Sequence, residues 1–448
     1  MSIKRRLGSL TSAGPGTQRA ATDEPPPSHG SNAGPISELR SRIHAMMARP
    51  RRSPVPSPAE RRRQLAETLP FVVHETVHGG HHHRVRIYDA AARHGNVSLH
   101  AALDASGSAI ATLALDDSLR SVDWTRALFL DTETTGLAGG TGTIPFLIGI
   151  ASFRGHEFHA EQSFLADLCD ERAMLEWLAE RISQASALVT FNGKAFDMPL
   201  IRTRFVLSRV KAPAEPPHLD LLHVARRVYR ARVEACRLTT LERDVLGFVR
   251  EADVPSGEIP ERYTNYLRSG DAEPLSAVVD HNLWDIIAMA ALMGELAARA
   301  VGETAGGRFE GSDMTGMART ALRAGESGLA TTLADAAASA SLARGEMNVL
   351  ATAHTLAAEV LRRTDRHDER LRRLLEAAAA TPDDATIQLS ISKHYEHKLG
   401  DPLRALEHAQ RSAGAELDDV LARRLKRLTA RIDKKPVSPA RSRRRRKP

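Results

Sequence analysis

The 448-residue sequence predicts an α/β fold, a mixed five-stranded sheet flanked by helices, followed by an all-α region of helical hairpins. Three short apolar or alternating runs follow one another, and a helical stretch and further apolar runs come after them. After about residue 313 the sequence is rich in Ala, Leu and Arg and has helical periodicity. This change in composition separates a sheet-forming part from a helical part.

Each predicted strand is an apolar or alternating run bounded by Gly, Pro or polar residues, as expected of a strand in a covered sheet. In chain order, the strands are predicted at 127–130, 146–151, 157–165, 187–191 and 218–222. Helices are predicted at about 170–185, 224–230 and 274–300, with an irregular helical segment at 238–270.

Composition divides the chain into five segments. Both ends are basic and poor in apolar residues, so they cannot bury enough surface to fold alone. The segments are a disordered basic Pro/Ser-rich tail at 1–67, a β-rich N-terminal extension at 68–123, the sheet domain at 124–303, a helical repeat-like domain at 313–432 and a disordered basic tail at 434–448.

The net charge of +7 resides in the two tails. Residues 1–67 have 12 Lys or Arg against 5 Asp or Glu, and residues 434–448 have 8 Lys or Arg and no acid. Residues 68–433 are left with 42 basic and 50 acidic residues. Flexible basic arms raise the sequence-independent affinity for nucleic acid. A role in keeping the protein soluble explains the basic charge of the tails equally well.

Cysteine usage and hydropathy indicate the compartment. Cys169 and Cys236 form no CxxC pattern and fit a reducing cytosol. We find no apolar run of transmembrane length and no signal-peptide core near the first residue. We therefore expect a cytoplasmic protein without a membrane partner.

Acidic side chains and one histidine lie in three segments, at the ends of predicted strands and helices. Asp131 and Glu133 lie two residues apart at the end of a strand, so they project onto the same face. Asp197 follows the fourth strand, and His281 and Asp285 are i and i+4 on the last helix. Convergent carboxylates are costly to desolvate without a cation. Because hard oxygen ligands suit Mg²⁺ or Mn²⁺, the sequence predicts a divalent metal site.

These motifs resemble those of the DEDD (DnaQ-like) exonucleases of the ribonuclease-H-like superfamily. Asp131 and Glu133 match the first motif of that family, Asp197 the second and Asp285 the third, with His281 in the place of the general base. His281 lies four residues before Asp285, a separation that is typical of the tyrosine subfamily. In the histidine subfamily the base usually lies five residues before the last Asp.

The flanking segments are similar to the YprB-type branch of bacterial proteins, and the resemblance covers about residues 70–300. It rests on the stretches 131–143 and 241–247, on Glu258-Ile259-Pro260 and on His281-Asn282.

The resemblance implies a ribonuclease-H-like sheet and a 3′–5′ exonuclease that acts on DNA or RNA with two divalent ions, Mg²⁺ or Mn²⁺. One ion would be held mainly by Asp131, Glu133 and Asp285, and the second would be bridged through Asp131 with help from Asp197. His281 would accept the proton of the attacking water.

Other polar residues have weaker claims to the site. Thr132, Thr134, Leu137 and Asn192 are candidates for substrate contact, Leu137 as a wedge against a base. Asp220 is better explained as a helix cap. The histidines at 74–83 are predicted to lie in a solvated loop rather than in a transition-metal site, because no Cys accompanies them.

A second class of function is a non-catalytic or partner-activated nucleic-acid-binding adaptor. Residues 381–389 and 395–406 resemble tetratricopeptide-type repeats, although no clean 34-residue period recurs. Such arrays usually bind a protein partner, and a helical cap on the sheet domain is the alternative. Four intact acids favour catalysis over binding alone.

Overall fold

A computed structural model of the chain describes residues 55–136 and 142–433. The predictions for the tails at 1–54 and 434–448, and for Leu137, lie outside the described residues.

A seven-stranded mixed sheet forms the centre of the fold, beside a short two-stranded hairpin of β3 and β4. The strands are β1 Val72–Thr76, β2 Gly79–Asp89, β3 Arg93–His94, β4 Val97–Ser98, β5 Ala127–Thr134, β6 Pro145–Arg154, β7 Glu157–Phe164, β8 Ala187–Thr190 and β9 His218–Asp220. The order across the sheet is β1-β2-β7-β6-β5-β8-β9. Strands β8 and β9 run parallel to β5, and the other pairings are antiparallel.

Helices cover both faces of the sheet. They are α1 Pro58–Thr68, α2 His100–Leu103, α3 Gly107–Ala114, α4 Glu171–Gln184, α5 Asp197–Leu207, α6 Leu221–Tyr229, α7 Leu238–Leu241, α8 Ile259–Ser269 and α9 Ser276–Ala300. Alternate residues of β5 show the two faces. Phe129 packs in the cluster that contains α6 and α9, whereas Leu128 and Leu130 pack with α4, α5 and α8.

The sheet has two more strands than the five that the sequence predicts. The additional strands, β1 and β2, come from the predicted N-terminal extension, and β2 pairs with β7 from His82↔Phe164 to Asp89↔Glu157. Strand β2 contains three His and two Arg, and β1 is short and exposed along its whole length. They therefore lack the apolar run by which the other strands are recognised.

Helix α1 corrects the predicted disordered tail at 1–67. The Ser57 hydroxyl accepts the Glu60 amide at 3.3 Å, and the Glu60 carboxylate accepts the Ser57 amide at 2.7 Å, which completes a capping box. Leu65 is fully buried against the sheet domain. Two buried side chains, Arg61 and Leu65, the ion pairs of Arg61 with Asp167 and of Arg62 with Asp170, and the cap together hold a helix whose polar composition did not predict order.

The apolar content of α9 reflects its central position. Glu273–Ala300 is long and apolar enough to cross a membrane by length and composition, contrary to the prediction that no such run exists. However, 72% of its apolar window is buried within the protein. A helix that is apolar on most sides is expected where neighbours surround it.

The helical region follows directly and packs onto the sheet domain. Its helices are α10 Gly311–Ala324, α11 Ser327–Arg344, α12 Met347–Arg363, α13 His367–Ala380, α14 Ala385–His394, α15 Pro402–Gln410 and α16 Asp418–Asp433. Consecutive helices pack on one another, and α10 also packs on α6. An ion pair of 2.7 Å between Arg232 and the fully buried Asp313 joins the two regions.

Candidate metal centre

Strand β5 carries the first two predicted ligands. Asp131 is half-buried and Glu133 is 9% exposed, and a register shift after Glu133 ends the regular pairing with β6. Burial, reinforced by the charges of neighbouring carboxylates, raises the pKa of both groups well above the usual range. Acids that repel one another in a largely desolvated site require a cation to remain ionised together.

Asp197 is the first residue of α5 and joins the same cluster. It is 4% exposed and accepts a hydrogen bond from the Thr132 hydroxyl. Burial raises the pKa of Asp197 to about 6, although the hydrogen bond from Thr132 opposes this shift. The hydroxyl of Thr132 is therefore directed at a carboxylate of the site, and its contact with substrate remains a prediction.

Gly149 allows α9 to approach the acidic strand closely. It pairs with Asp131 across the β5–β6 ladder. A Cβ atom at Gly149 would lie 2.1 Å from Asn282 Oδ1 and 2.3 Å from Ile286 Cδ1. Only a residue without a side chain permits this crossing, and the crossing brings the polar start of α9 to the end of β5.

Asn282 links α9 to Asp131 through buried hydrogen bonds. Its Nδ2 donates to Asp131 Oδ2 at 2.8 Å, and its Oδ1 accepts from Gln162 Nε2 at 2.9 Å. Gln162 also donates to the Val279 carbonyl at 2.8 Å. This chain orients the Asp131 carboxylate before any ion binds, because the amide nitrogens of Asn282 and Gln162 both have fixed acceptors.

His281 faces the acids with one ring nitrogen and a further carboxylate, Asp253, with the other. Its Nε2 lies 3.6 Å from Asp285 Oδ2 and 4.0 Å from Glu133 Oε1, whereas its Nδ1 lies 2.6 Å from Asp253 Oδ1. A proton on Nδ1, donated to Asp253, leaves the Nε2 lone pair toward the acids. Glu133, His281 and Asp285 each offer a ligand atom within 4.8 Å of the others.

Arg250 supplies a positive charge at the back of the cluster. It is bonded to Asp285 and donates from Nε to Glu242 Oε2 at 2.7 Å. Burial opposes its charge, but Asp285 and Glu242 outweigh that effect and hold the pKa of Arg250 above its usual range. Its guanidinium also lies 5.7 Å from the centre of the Trp284 ring.

Sequence reasoning did not assign roles to Arg250, Asp253 or Asn282. Asn282 belongs to the resemblance only through the His281-Asn282 pair, and its position one residue after His281 is the signal that the sequence offers. Arg250 and Asp253 lie in an irregular segment before α8, where no helical or strand spacing connects them to a motif.

The remaining candidates lie around the cluster in different roles. Thr134 is buried and donates to the Gly136 carbonyl at 2.8 Å. Asn192 is exposed, with a φ of 71°, and its amide donates to Asp220 Oδ1 at 2.8 Å. Asp220 also accepts the Leu222 amide at 3.1 Å and caps α6, which confirms its structural interpretation.

The donor set fits divalent cations that prefer oxygen. Four carboxylates converge with one imidazole, and Arg250 offsets only part of their charge, so added positive charge would relieve the remaining repulsion. Asp131, Glu133, Asp197 and Asp285, with His281 beside them, could hold Mg²⁺ or Mn²⁺.

The histidines at 74–83 are a correction to the predicted solvated loop. His81, His82 and His83 are buried in β2, and the rings of His81 and His83 lie 5.9 and 5.5 Å from the Trp177 ring. Burial lowers the pKa of His81 to about 4. Within the described residues, the potential ligand atoms that lie within 4.8 Å of one another belong to Glu133, His281 and Asp285. These histidines do not form such a group.

Comparison with known proteins agrees with this geometry. Residues 128–297 match a family model described as RNase_H_2 of the RNase_H superfamily. The chain is also 34% identical over 178 residues to the uncharacterized protein YprB of Bacillus subtilis (strain 168). That match covers 39% of this chain and 43% of the relative, so the chain spans less than half of it. Together with the mixed sheet and its flanking helices, these matches show a ribonuclease-H-like fold.

Proposed function

We propose that the protein is a metal-dependent nuclease, specifically a 3′–5′ exonuclease that hydrolyses phosphodiester bonds of DNA or RNA. The observation that carries the proposal is the convergence of four acids from β5, α5 and α9 beside His281, whose Nε2 lies within 4.0 Å of Glu133 and Asp285. When bound, two divalent ions, Mg²⁺ or Mn²⁺, would supply Lewis-acid chemistry at the scissile phosphate. The ribonuclease-H-like fold supports the nuclease class, and the DEDD resemblance supports the end-directed polarity.

The residues of this chain would carry the proton and orient the water. A water oxygen attacks phosphorus, the bond from phosphorus to the 3′ oxygen breaks, and a nucleoside 5′-monophosphate leaves. His281 Nε2 accepts the proton of the water, because Asp253 holds the other ring nitrogen as the donor. Asn282 keeps the Asp131 carboxylate in one orientation throughout.

The test is degradation of a 5′-labelled single strand of DNA and of RNA by the full chain. We expect products that shorten from the 3′ end in Mn²⁺ or Mg²⁺ and no products in EDTA. Asp131→Asn should be inactive, and Asp280→Asn, at a half-buried acid of α9 that pairs with Arg84 at 3.8 Å outside the acidic cluster, should be as active as wild type. Metal-dependent products that persist in Asp131→Asn would refute the proposed site, and internal cleavage would refute the polarity.

A partner-activated adaptor remains the second candidate, because the region from α10 to α16 is a run of helices that pack in sequence. We propose that this region is tetratricopeptide-like and binds a protein partner, as such arrays do. The cytoplasm is the compartment that we propose for both functions. The purified full chain separates them: hydrolysis without any partner would refute partner activation, whereas hydrolysis that occurs only with a captured partner would favour the adaptor.

A further inference from the structure

Helices α6 and α10 bring five arginines together in one cleft. The cleft has a volume of about 330 Å³ and is lined by Arg226, Arg227, Arg230, Arg319 and Arg323. No acidic residue is among the described lining residues. We call this site the arginine cleft, and it is unusual in a body that is acidic over residues 68–433.

The backbone holds these like charges close to one another. Arg226 and Arg230 are four residues apart on or next to α6, and Arg319 and Arg323 are four residues apart on α10. The helices meet at Gly316, where a Cβ atom would lie 2.4 Å from the Val228 carbonyl oxygen. Like charges at this spacing destabilise a helix, so the arrangement costs stability unless an anion is bound.

The arginines have few partners of their own. Arg227 donates to the Leu113 carbonyl at 3.1 Å, and burial together with the charge of Arg323 lowers its pKa. Within residues 55–136 and 142–433, no ion pair engages Arg226, Arg230, Arg319 or Arg323, and these four are exposed. Free guanidinium groups in a concave site are suited to phosphate, which they can bind in a bidentate manner.

The arginine cleft is connected to the metal centre through α6. Arg227 lines both this cleft and a smaller one, of about 70 Å³, that also includes Lys194, His218 and the acids Asp116 and Asp220. Asp220, which caps α6, accepts the amides of Asn192 and Lys194 in the loop before Asp197. The nine residues of α6 span about 13 Å, so a strand that follows the helix from its start to the cleft must extend for more than one nucleotide.

We propose that the arginine cleft binds the phosphate backbone of the nucleic-acid strand, several nucleotides away from the metal centre. This inference rests on the proposed function, from which it takes nucleic acid as the substrate class. It assigns a binding role to a different part of the molecule. The strand would pass from the acids over Lys194 and Arg227 into the cleft. A dinucleotide bound at the acids would be too short to reach it.

The test compares Arg319→Ala/Arg323→Ala with a charge-matched control, Arg372→Ala/Arg423→Ala, which removes two exposed arginines elsewhere in the helical region. Binding of a fluorescent 20-nucleotide single strand is measured by anisotropy in EDTA at 50–200 mM KCl. We expect about tenfold weaker binding for the cleft variant and a salt slope lower by about 1.4, at about 0.7 for each phosphate contact. The control variant should bind within about twofold of wild type, and neither variant should lose thermal stability.

Two further measurements, dinucleotide hydrolysis and tripolyphosphate binding, complete the test. Dinucleotide hydrolysis in Mn²⁺ should be equal in wild type and the cleft variant, because the cleft lies beyond the reach of that substrate. If wild type hydrolyses nothing but the cleft variant still loses strand binding, the proposed function fails and the cleft assignment stands. Undiminished strand binding by the cleft variant would overturn the assignment, as would inorganic tripolyphosphate binding as tightly as the 20-nucleotide strand.

Discussion

The Nδ1 atom of His281 lies 2.6 Å from Oδ1 of Asp253, and this contact determines which ring nitrogen faces the acids. Arg250 is also near Nδ1, but at 3.3 Å, and a guanidinium can only donate. The shorter contact to a carboxylate places the proton on Nδ1. His281 is thereby prepared to accept a proton at Nε2, the atom that lies toward Glu133 and Asp285.

Asp253→Asn should slow hydrolysis by about 10- to 100-fold, because the ring loses the partner that fixes its tautomer. The KM for a single strand should change little, since Asp253 lies behind His281. Steady-state kinetics in Mn²⁺ measures both quantities, with Asp280→Asn as the matched control on α9. A raised KM with unchanged kcat would show that Asp253 contributes to substrate binding instead.

Asp197→Asn should change how stability depends on pH in the absence of metal. The pKa of Asp197 is about 6 in the folded protein, against 3.8 for the free group. A raised acid pKa means that the folded state holds the proton longer, so the wild-type free energy of unfolding falls as pH rises from about 4 to about 6.

The stability of Asp197→Asn relative to wild type should therefore increase across that interval and level off above it. Urea unfolding at several pH values between 4 and 7, in EDTA, measures this difference. Parallel curves for the two proteins would contradict the burial of an acid at Asp197. Mn²⁺ should reduce the difference at pH 7, because the ion compensates the carboxylates only in wild type.

Gly149→Ala should destabilise the protein by about 1–3 kcal/mol, the usual cost of overpacking. The added methyl group would collide with Asn282 and Ile286 on α9. Urea unfolding provides the measurement, and Gly257→Ala is the control, since a Cβ atom there meets nothing within 4 Å. Equal stability of the two variants would show that α9 does not depend on this close approach.

Arg250→Gln should be strongly destabilising in EDTA, by roughly 3–5 kcal/mol, because it leaves buried Glu242 and Asp285 without their cation. Adding Glu242→Gln should restore part of the loss, which a double-mutant cycle measures. Arg243→Gln, at an exposed neighbouring position, is expected to have little effect. A mild loss for Arg250→Gln would mean that solvent reaches this network.

The elements that the sequence predicted are those that contain a clear apolar run. Strand β5 and helix α9 were recognised in this way, and their acidic residues followed from alternation and from i, i+4 spacing. Strands β1 and β2 lie in the segment that the sequence predicted to be a β-rich extension, but their membership of the central sheet was not predicted. Their position in the sheet is set by pairing with β7, which local sequence does not encode.

The candidate ligands were predictable from the sequence, but the residues that orient them were not. Asp253 contacts His281 across 28 positions, and Asn282 contacts Asp131 across 151. Such contacts exist only once α9 crosses the sheet at Gly149. The arginine cleft likewise needs two helices from different regions, neither of which is unusual in composition by itself.

Direct titration of Mn²⁺ into the metal-free full chain tests the central claim that the acids form a divalent metal site. Isothermal calorimetry of wild type, Asp285→Asn and Asp280→Asn at pH 7 measures the number of ions and their affinity. We predict that wild type and Asp280→Asn bind two ions, and that Asp285→Asn loses at least one ion or binds at least tenfold more weakly. Equal binding by all three proteins, or no binding at millimolar Mn²⁺, would contradict the account.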